Sequence, residues 1–223
     1  MKVLAVIPAR SGSKRIPGKN TASLADRPLI AYTCQAAREA EIFDAIYVNT
    51  DCSRIAGIAA QYGVSCPILR PRELATDETS TDLAMRFFIS ALVEQDDLYD
   101  AVMLLQPTSP LRNAEDIRAA FALFEQNRPC TVVSVTHVTP ASWLGRVTKD
   151  GQFEPFVGND PVYRLNGAIY VHPFEYYLDG ARSPKHMMYP MPVERSVDID
   201  TIDDWQVAEM LMQQQHTYEY NPV

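Results

Sequence analysis

Five residues near the start, Val3-Leu4-Ala5-Val6-Ile7, form a continuous apolar run. Its length and branching are those of a strand buried on both faces. Pro8 follows and cannot donate to a β-ladder, so the strand must stop there. The chain then reads Ala9-Arg10-Ser11-Gly12-Ser13-Lys14-Arg15-Ile16-Pro17-Gly18-Lys19-Asn20. Arg10, Lys14, Arg15 and Lys19 are clustered here, and no acid appears before Asp26. Gly12 and Gly18 permit backbone conformations that bring N–H groups close to a ligand. In an open α/β sheet, the loop at the carboxyl end of the first strand is where a polyphosphate binds. The spacing matches neither G-x-x-x-x-G-K-[ST] nor G-x-G-x-x-G, so it is not a general phosphate motif. The alternative, a surface turn with solvated cations, does not explain why the cations cluster with glycines directly after a buried strand.

The chain beyond it supplies the alternation that such a sheet requires. Residues 28–40 place Leu29, Ile30, Thr33, Ala36 and Ala37 at helical spacing, with Pro28 suited to a first turn. A strand is expected over 45–49. A helix follows over 53–62, capped by Asp51 or Ser53 and ended by Gly63. A further strand over 64–69 carries Pro67, which places it near a sheet edge. Residues 70–81 are polar and rich in hydroxyls. Thr79, Ser80 or Thr81 either caps the helix expected over 82–94 or hydrogen-bonds a base or sugar. The apolar strand 101–105 ends in Gln106-Pro107-Thr108-Ser109-Pro110-Leu111-Arg112, where two prolines fix a loop that presents polar side chains. A helix over 114–125 and a strand over 131–135 complete the pattern. The fold class is α/β, a mostly parallel sheet with helices on both faces.

The periodicity then breaks. Between 137 and 161, prolines and glycines interrupt every pattern, and Lys149-Asp150-Gly151-Gln152 reads as a hairpin turn. We read residues 137–185 as including a small β arm within a single domain spanning 1–223. The arm's aromatics Trp143, Phe153 and Phe156 suit a subunit contact or a substrate lid. A strand returns over 163–171. Asn166-Gly167 in its middle marks either a close approach of the backbone to a ligand or a plain bulge. Met187, Met188, Tyr189 and Met191 are assigned to core or interface packing. In Ser196-Val197-Asp198-Ile199-Asp200-Thr201, an extended backbone points Asp198 and Asp200 to one side. Two such carboxylates repel unless a cation lies between them, and hard oxygen ligands beside a phosphate favour Mg²⁺. Otherwise they cap the helix near Ile202, a role that Asp203 and Asp204 also fit.

Composition narrows the partners. The net charge of −8 argues against nucleic acid as the main partner and makes the basic loop an exception on an acidic molecule. No apolar run is long enough to span a membrane, and the first strand does not read as a signal peptide. Cys34, Cys52, Cys66 and Cys130 form no C-x-x-C pair and are expected to be free thiols of a cytoplasmic protein. His137, His172, His186 and His216 show no metal-ligand spacing.

The string from Ile7 to Asn20 resembles the first signature of the acylneuraminate cytidylyltransferases, the CMP-sialic acid synthetases. Leu69-Arg70-Pro71, the stretch from Leu105 to Arg112, Arg164-Leu165-Asn166-Gly167-Ala168-Ile169-Tyr170 and Asp198-Ile199-Asp200 resemble four more signatures in the same order. The resemblance implies a Rossmann-like nucleotidyltransferase, usually a homodimer whose arm reaches the neighbouring subunit. It implies that CTP and a nine-carbon 2-keto acid sugar give a CMP-sugar and pyrophosphate, with Mg²⁺. Carried over by position, Arg10, Ser13, Lys14 and Lys19 hold the triphosphate. Asn20, Arg70, Thr79 and Thr81 contact the cytidine, the last two standing where serines are often seen. Gln106, Asn166 and Tyr170 meet the sugar, and Asp198 and Asp200 carry the metal. Lys19, Arg10 and Asp200 become the catalytic set. Family members often carry an Arg-Gln pair within the stretch that here spans 154–160 and lacks it. Arg146, Arg164 or a cation of the partner subunit is then required in its place. The same signatures admit a CMP-legionaminate, CMP-pseudaminate or CMP-Kdo synthetase, or a non-catalytic nucleotide-binding homologue.

Overall fold

β1 (Val3–Pro8) distributes its side chains between two hydrophobic clusters. Val3, Ala5 and Ile7 enter one, and Leu4 and Val6 the other. Strand side chains alternate, so a strand that feeds two clusters is covered on both faces. β1 pairs in parallel with β4 (Ala45–Asn49) and with β5 (Ala101–Leu105). All five residues of β5 are buried and divide between the same clusters. Each Val, Leu or Ile so buried contributes about 1.5–3 kcal/mol. The computed structural model describes residues 1–138, 144–155, 161–178 and 185–220, with side chains through 214.

The six-stranded sheet also contains β6 (Thr131–Val138), β9 (Val162–Pro173) and β10 (His186–Met191), in the order β10-β6-β9-β5-β1-β4. β9 runs antiparallel to both β5 and β6, and every other pair is parallel. The expected α/β sheet is therefore present, with one reversed strand where the chain returns from the arm. Helices α1 (Leu29–Glu39), α2 (Ser53–Gln61) and α4 (Ala114–Asn127) cover one face through residues such as Ile30, Ile55 and Ile117. Helix α3 (Thr81–Val93) and the 3-10 turn Phe174–Tyr177 cover the other through Met85, Phe88 and Phe174. A third cluster joins α5 (Ile202–Tyr220) to the hairpin of β2 (Ser23–Leu24) and β3 (Arg27–Pro28), with Leu24, Trp205 and Met212 at its centre. The arm contains the antiparallel pair β7 (Gly145–Val147) and β8 (Phe153–Pro155), and Gly151 adopts φ +79° at the expected turn. Phe153 is exposed. Trp143 and Phe156 lie outside the described residues.

Two local expectations change, and two others narrow to one of the residues named. The strand over 64–69 reduces to a single parallel bridge between Ser65 and Tyr47, because Pro67 has no N–H to extend the ladder. Helix α2 takes no side-chain cap. Cys52 stands at its N-cap, and Asp51 instead accepts from the Ser11 backbone N–H at 2.8 Å. Of the three hydroxyls before α3, Ser80 is the cap, accepting from the Leu83 N–H at 3.2 Å. Gly18 uses glycine's freedom at φ +66°, whereas Gly12 has no positive φ and only open space above its Cα.

Candidate active site

The carboxyl ends of β1 and β5 open onto a cleft of about 310 Å³. The basic loop forms one wall, with Arg10, Gly12, Ser13, Lys19 and Asn20 lining it. The loop is pinned internally as well as by Asp51. Asn20 is buried and its amide donates to the Arg10 carbonyl at 3.0 Å, so the end of the loop is tied to its beginning.

Arg70 and Thr79 to Thr81 form a second wall. Arg70 is buried and held by one residue at the end of β4: its Nε donates to Asn49 Oδ1 at 2.9 Å and its Nη2 to the Asn49 carbonyl at 2.6 Å. Burial pulls the Arg70 pKa down and the nearby Asp51 pushes it back up. Gln106 and Thr108 form a third wall. Asp198 and Asp200 close the fourth.

The first and last of these regions meet directly. Lys19 Nζ donates to the Ile199 carbonyl at 2.6 Å and stands 3.4 Å from Asp200 Oδ1. Arg15 Nη1 lies 3.6 Å from the other oxygen of Asp200. The Ile199 N–H in turn donates to the Thr108 carbonyl at 2.8 Å. One peptide segment between the two aspartates therefore binds both the β1 loop and the β5 loop. Asp198 is mostly buried, and its pKa is raised by that burial. The neighbouring Thr108 hydroxyl works against the rise, and the charge of Asp200 adds to it. Asp198 Oδ1 is buried without a hydrogen-bond partner among the described residues. A buried carboxylate oxygen left in this way is costly unless a cation completes it. The pair provides hard oxygen donors of the kind that Mg²⁺ takes together with phosphate and water.

The predicted sugar residues separate. Gln106 lines the main cleft and also a neighbouring cavity of about 390 Å³, whose wall includes Tyr170 and His172. Burial holds the His172 pKa down at about 4. Arg164 lines a different neighbouring cavity, which shares Asp198 with the cleft. Asn166 requires correction. It is buried and its amide is spent internally, with Oδ1 accepting from the Ser134 hydroxyl at 2.6 Å and Nδ2 donating to the Ser196 hydroxyl at 2.9 Å. It therefore fixes the irregular middle of β9 rather than facing a ligand. The next residue, Gly167, makes the close approach: at φ +77°, a Cβ there would stand 3.3 Å from both Asp198 Oδ2 and Gln106 Oε1. Arg146 is paired with Glu154 at 2.7 Å on the arm hairpin.

Three contributors escape sequence reasoning. Asp77 lines the cleft and pairs with Arg10 and Lys14. Asn49 aims Arg70. Asp116 is fully buried at the start of α4, where it accepts two hydrogen bonds from Arg195, both at 2.9 Å, and one from Tyr189 at 3.0 Å. That cluster anchors the chain one residue before the acidic segment. The only signals in the sequence are isolated polar residues next to strand or helix ends, and their partners lie far along the chain.

A sheet of this order, with a cationic first loop facing two carboxylates across a cleft, defines a nucleotidyltransferase. A family model described as cytidylyltransferase matches residues 4–151, and the chain belongs to that family as a CTP-dependent nucleotidyltransferase. It is 38% identical to the CMP-N,N'-diacetyllegionaminic acid synthase of Legionella pneumophila, over 96% of this chain and 97% of that one. It is 37% identical to the N-acylneuraminate cytidylyltransferase of Escherichia coli, over 96% of this chain but 53% of that longer protein. A pseudaminic acid cytidylyltransferase of Campylobacter jejuni is 31% identical over 97% of this chain and 98% of its own length. Among solved structures, a CMP:2-keto-3-deoxy-manno-octonic acid synthetase complexed with CTP superposes with a TM-score of 0.76 at 17% identity, covering 96% of this chain and all of that one. At that identity the likeness concerns the fold.

Proposed function

We propose that the chain transfers CMP from CTP to the anomeric hydroxyl of a nonulosonic acid, releasing pyrophosphate. The observation that carries this reading is the junction of Lys19 with Ile199 and Asp200, which brings the cationic loop and the acidic segment to one cleft. The curated relatives supply the substrate class: legionaminate, neuraminate and pseudaminate are all nonulosonic acids.

The hydroxyl attacks the α-phosphorus in line as pyrophosphate leaves. The protein forms no covalent bond, so positioning and charge neutralisation carry the rate. Arg10, Lys14 and Lys19 answer the triphosphate charge, with Ser13 donating beside them. Lys19 is held in place by the Ile199 carbonyl, so it needs no reorganisation as charge grows on the phosphates. Arg70, Thr79, Thr81 and Asn20 face the cytidine. Gln106, Tyr170 and Arg164 flank the acceptor sugar, with Arg164 the candidate partner of its carboxylate. Asp198 and Asp200 would hold Mg²⁺, which when bound supplies charge neutralisation and lowers the pKa of the attacking hydroxyl. The buried Oδ1 of Asp198, unpartnered among the described residues, supports that assignment.

We also assign a homodimer and a cytoplasmic location. Leu165 and Met188, on neighbouring parts of the sheet, are each more than half exposed, as is Val147 on the arm, which supports a subunit contact there. No helix among the described residues is long and apolar enough to cross a membrane. The deciding assay measures pyrophosphate release with CTP, UTP, GTP and ATP, each crossed with several 2-keto acids. Release with CTP and a nonulosonic acid is expected. Release with no such sugar, or with another nucleotide in preference to CTP, refutes the reading. Light scattering tests the dimer.

A further inference from the structure

Two of the cations assigned to the triphosphate, Arg10 and Lys14, share a single anionic partner within the chain, Asp77. Asp77 Oδ1 lies 2.6 Å from Arg10 Nη2, and Asp77 Oδ2 lies 2.6 Å from Lys14 Nζ. Each carboxylate oxygen takes one cation, the pattern in which two oxygens of a phosphate group would engage the same pair. Asp77 lines the cleft together with Arg10, so their ion pair borders the space that a ligand phosphate would enter. The Asp77 pKa is lowered by its hydrogen bonds to Lys14 and Arg10, and that of Lys14 is raised by Asp77. Both partners are charged at neutral pH.

The segment bearing Asp77 is anchored on either side. The 3-10 turn Arg72–Leu74 precedes it, and the Ser80 cap of α3 follows. The Thr76 and Thr79 hydroxyls lie 2.9 Å apart across it. These contacts do not involve the carboxylate, so they persist when Asp77 releases the cations and keep it close enough to return. A carboxylate tethered in this way acts at a high effective concentration. It cannot share the same donors with phosphate without bringing like charges together.

We infer that Asp77 competes with the β- and γ-phosphates for Arg10 and Lys14 and so promotes the departure of pyrophosphate. The inference rests on the proposed placement of the triphosphate at these two cations. Cleavage frees an additional anionic oxygen on pyrophosphate, which strengthens its hold on the cations unless another anion displaces it. Asp77 is a positioning residue, acting through Arg10 and Lys14 rather than on the reacting atoms.

The test is product inhibition in Asp77→Asn. The amide keeps the shape and removes the charge. Several-fold tighter inhibition by pyrophosphate is expected, with a lower CTP KM and a lower kcat where product release limits turnover. Inhibition by CMP, which has neither a β- nor a γ-phosphate, stays unchanged. Asp77→Glu restores the charge and is expected to recover much of the wild-type inhibition. Inhibition constants do not depend on the amount of active enzyme, so partial misfolding does not mask the result. A pyrophosphate constant within about twofold of wild type, the range of a negligible exposed ion pair, overturns the inference. An equal change for CMP and pyrophosphate also overturns it, since that marks a general distortion. Arg10→Ala and Lys14→Ala separate this failure from that of the underlying reading. If they weaken CTP and pyrophosphate binding while Asp77→Asn changes neither, only the role of Asp77 falls. If they alter neither, the triphosphate placement falls with it.

Discussion

Gly167→Ala places a methyl group where the Asp198 and Gln106 side chains converge. Gly167 sits within β9 at φ +77°, and its Cβ would lie 3.3 Å from Asp198 Oδ2 and from Gln106 Oε1. Two separate effects follow. The left-handed backbone costs an L residue roughly 1–2 kcal/mol. For a chain of this size that lowers the melting temperature by about 2–8 °C. The second effect is geometric. A 3.3 Å contact obliges Asp198 and Gln106 to give by a few tenths of an ångström. A 1 Å misplacement of a reacting group costs about 100-fold, so a shift of a few tenths corresponds to roughly 3–10-fold in kcat/KM. Gly151→Ala is the control, because Gly151 has φ +79° with nothing within 4 Å of its Cβ. It carries backbone strain without crowding the cleft, and its kcat/KM is expected to match wild type. Scanning calorimetry and continuous pyrophosphate release, with CTP and an accepted nonulosonate, measure the two effects. Equal kcat/KM for wild type, Gly167→Ala and Gly151→Ala would refute the claim that the β9 backbone sets the spacing of Asp198 and Gln106.

Lys19→Ala is expected to lower kcat by about 10²–10³ while the far-ultraviolet circular dichroism stays unchanged; near-normal turnover removes Lys19 from the catalytic set. Asp198→Asn is expected to abolish turnover and yet melt higher than wild type at neutral pH in the absence of Mg²⁺. The raised pKa of Asp198 means that the native state holds this proton more tightly than the unfolded chain does. Its contribution therefore becomes unfavourable as pH rises above the ordinary carboxylate range, and the amide avoids that loss. Equal melting temperatures for the two proteins from pH 4 to pH 8 would contradict it. Arg195→Met leaves Asp116 buried without its cation and is expected to destabilise by about 3–5 kcal/mol, read by urea unfolding; a loss below about 1 kcal/mol dismisses the anchor. His172 has its pKa depressed to about 4, so its neutral form stabilises the fold above the ordinary imidazole value and that stability fades as pH falls toward 4. A depression of that size corresponds to about 3 kcal/mol, and His172→Gln should flatten the pH dependence of melting over that interval; an unchanged pH dependence excludes His172 as its source.

The parts of the fold that could be read in advance are those set by local pattern. Val3 to Ile7 has no polar residue because both faces of β1 are covered, and that requirement is written into five consecutive positions. The alternation of apolar strands with helical spacing revealed the sheet for the same reason. Pro67 was visible as an edge signal, but the lost ladder beyond Ser65 depends on what β4 offers as a partner. Asp51 looked like a helix cap, and it serves instead as an acceptor for Ser11, because the β1 and β4 strand ends lie side by side. Asp77 lay in a stretch whose hydroxyls drew attention, yet an acid in a polar loop carries no mark of its partner. Only the fold brings it to Arg10 and Lys14. Asn166 belongs to a legible motif, but the use of its amide is not legible from that motif. Its amide is consumed by Ser134 and Ser196, residues on other segments that its own strand does not specify.

The cleft owes its shape to backbone as much as to side chains. Ile199 lies between two carboxylates but faces the core, and its peptide carries two contacts at once: N–H to the Thr108 carbonyl and carbonyl to Lys19 Nζ. The β5 loop, the β1 loop and the acidic segment are therefore tied to one another through a single residue. Upstream, Arg195 on Asp116 and Ser196 on Asn166 fix the approach to that segment, while Asp204 accepts from the N–H groups of Asp200 and Thr201 at 3.0 and 2.8 Å and fixes the exit. A reaction that the protein assists by placement alone needs this kind of restraint, since effective molarity is lost as soon as the reacting groups wander. In the same cleft, Asp77 has few restraints on its carboxylate, and its partners Arg10 and Lys14 are the cations whose ligand must arrive and leave. The division is physical: the acidic segment is held by backbone hydrogen bonds before and after its aspartates, whereas Arg10 and Lys14 are held by an ion pair that an arriving phosphate could exchange.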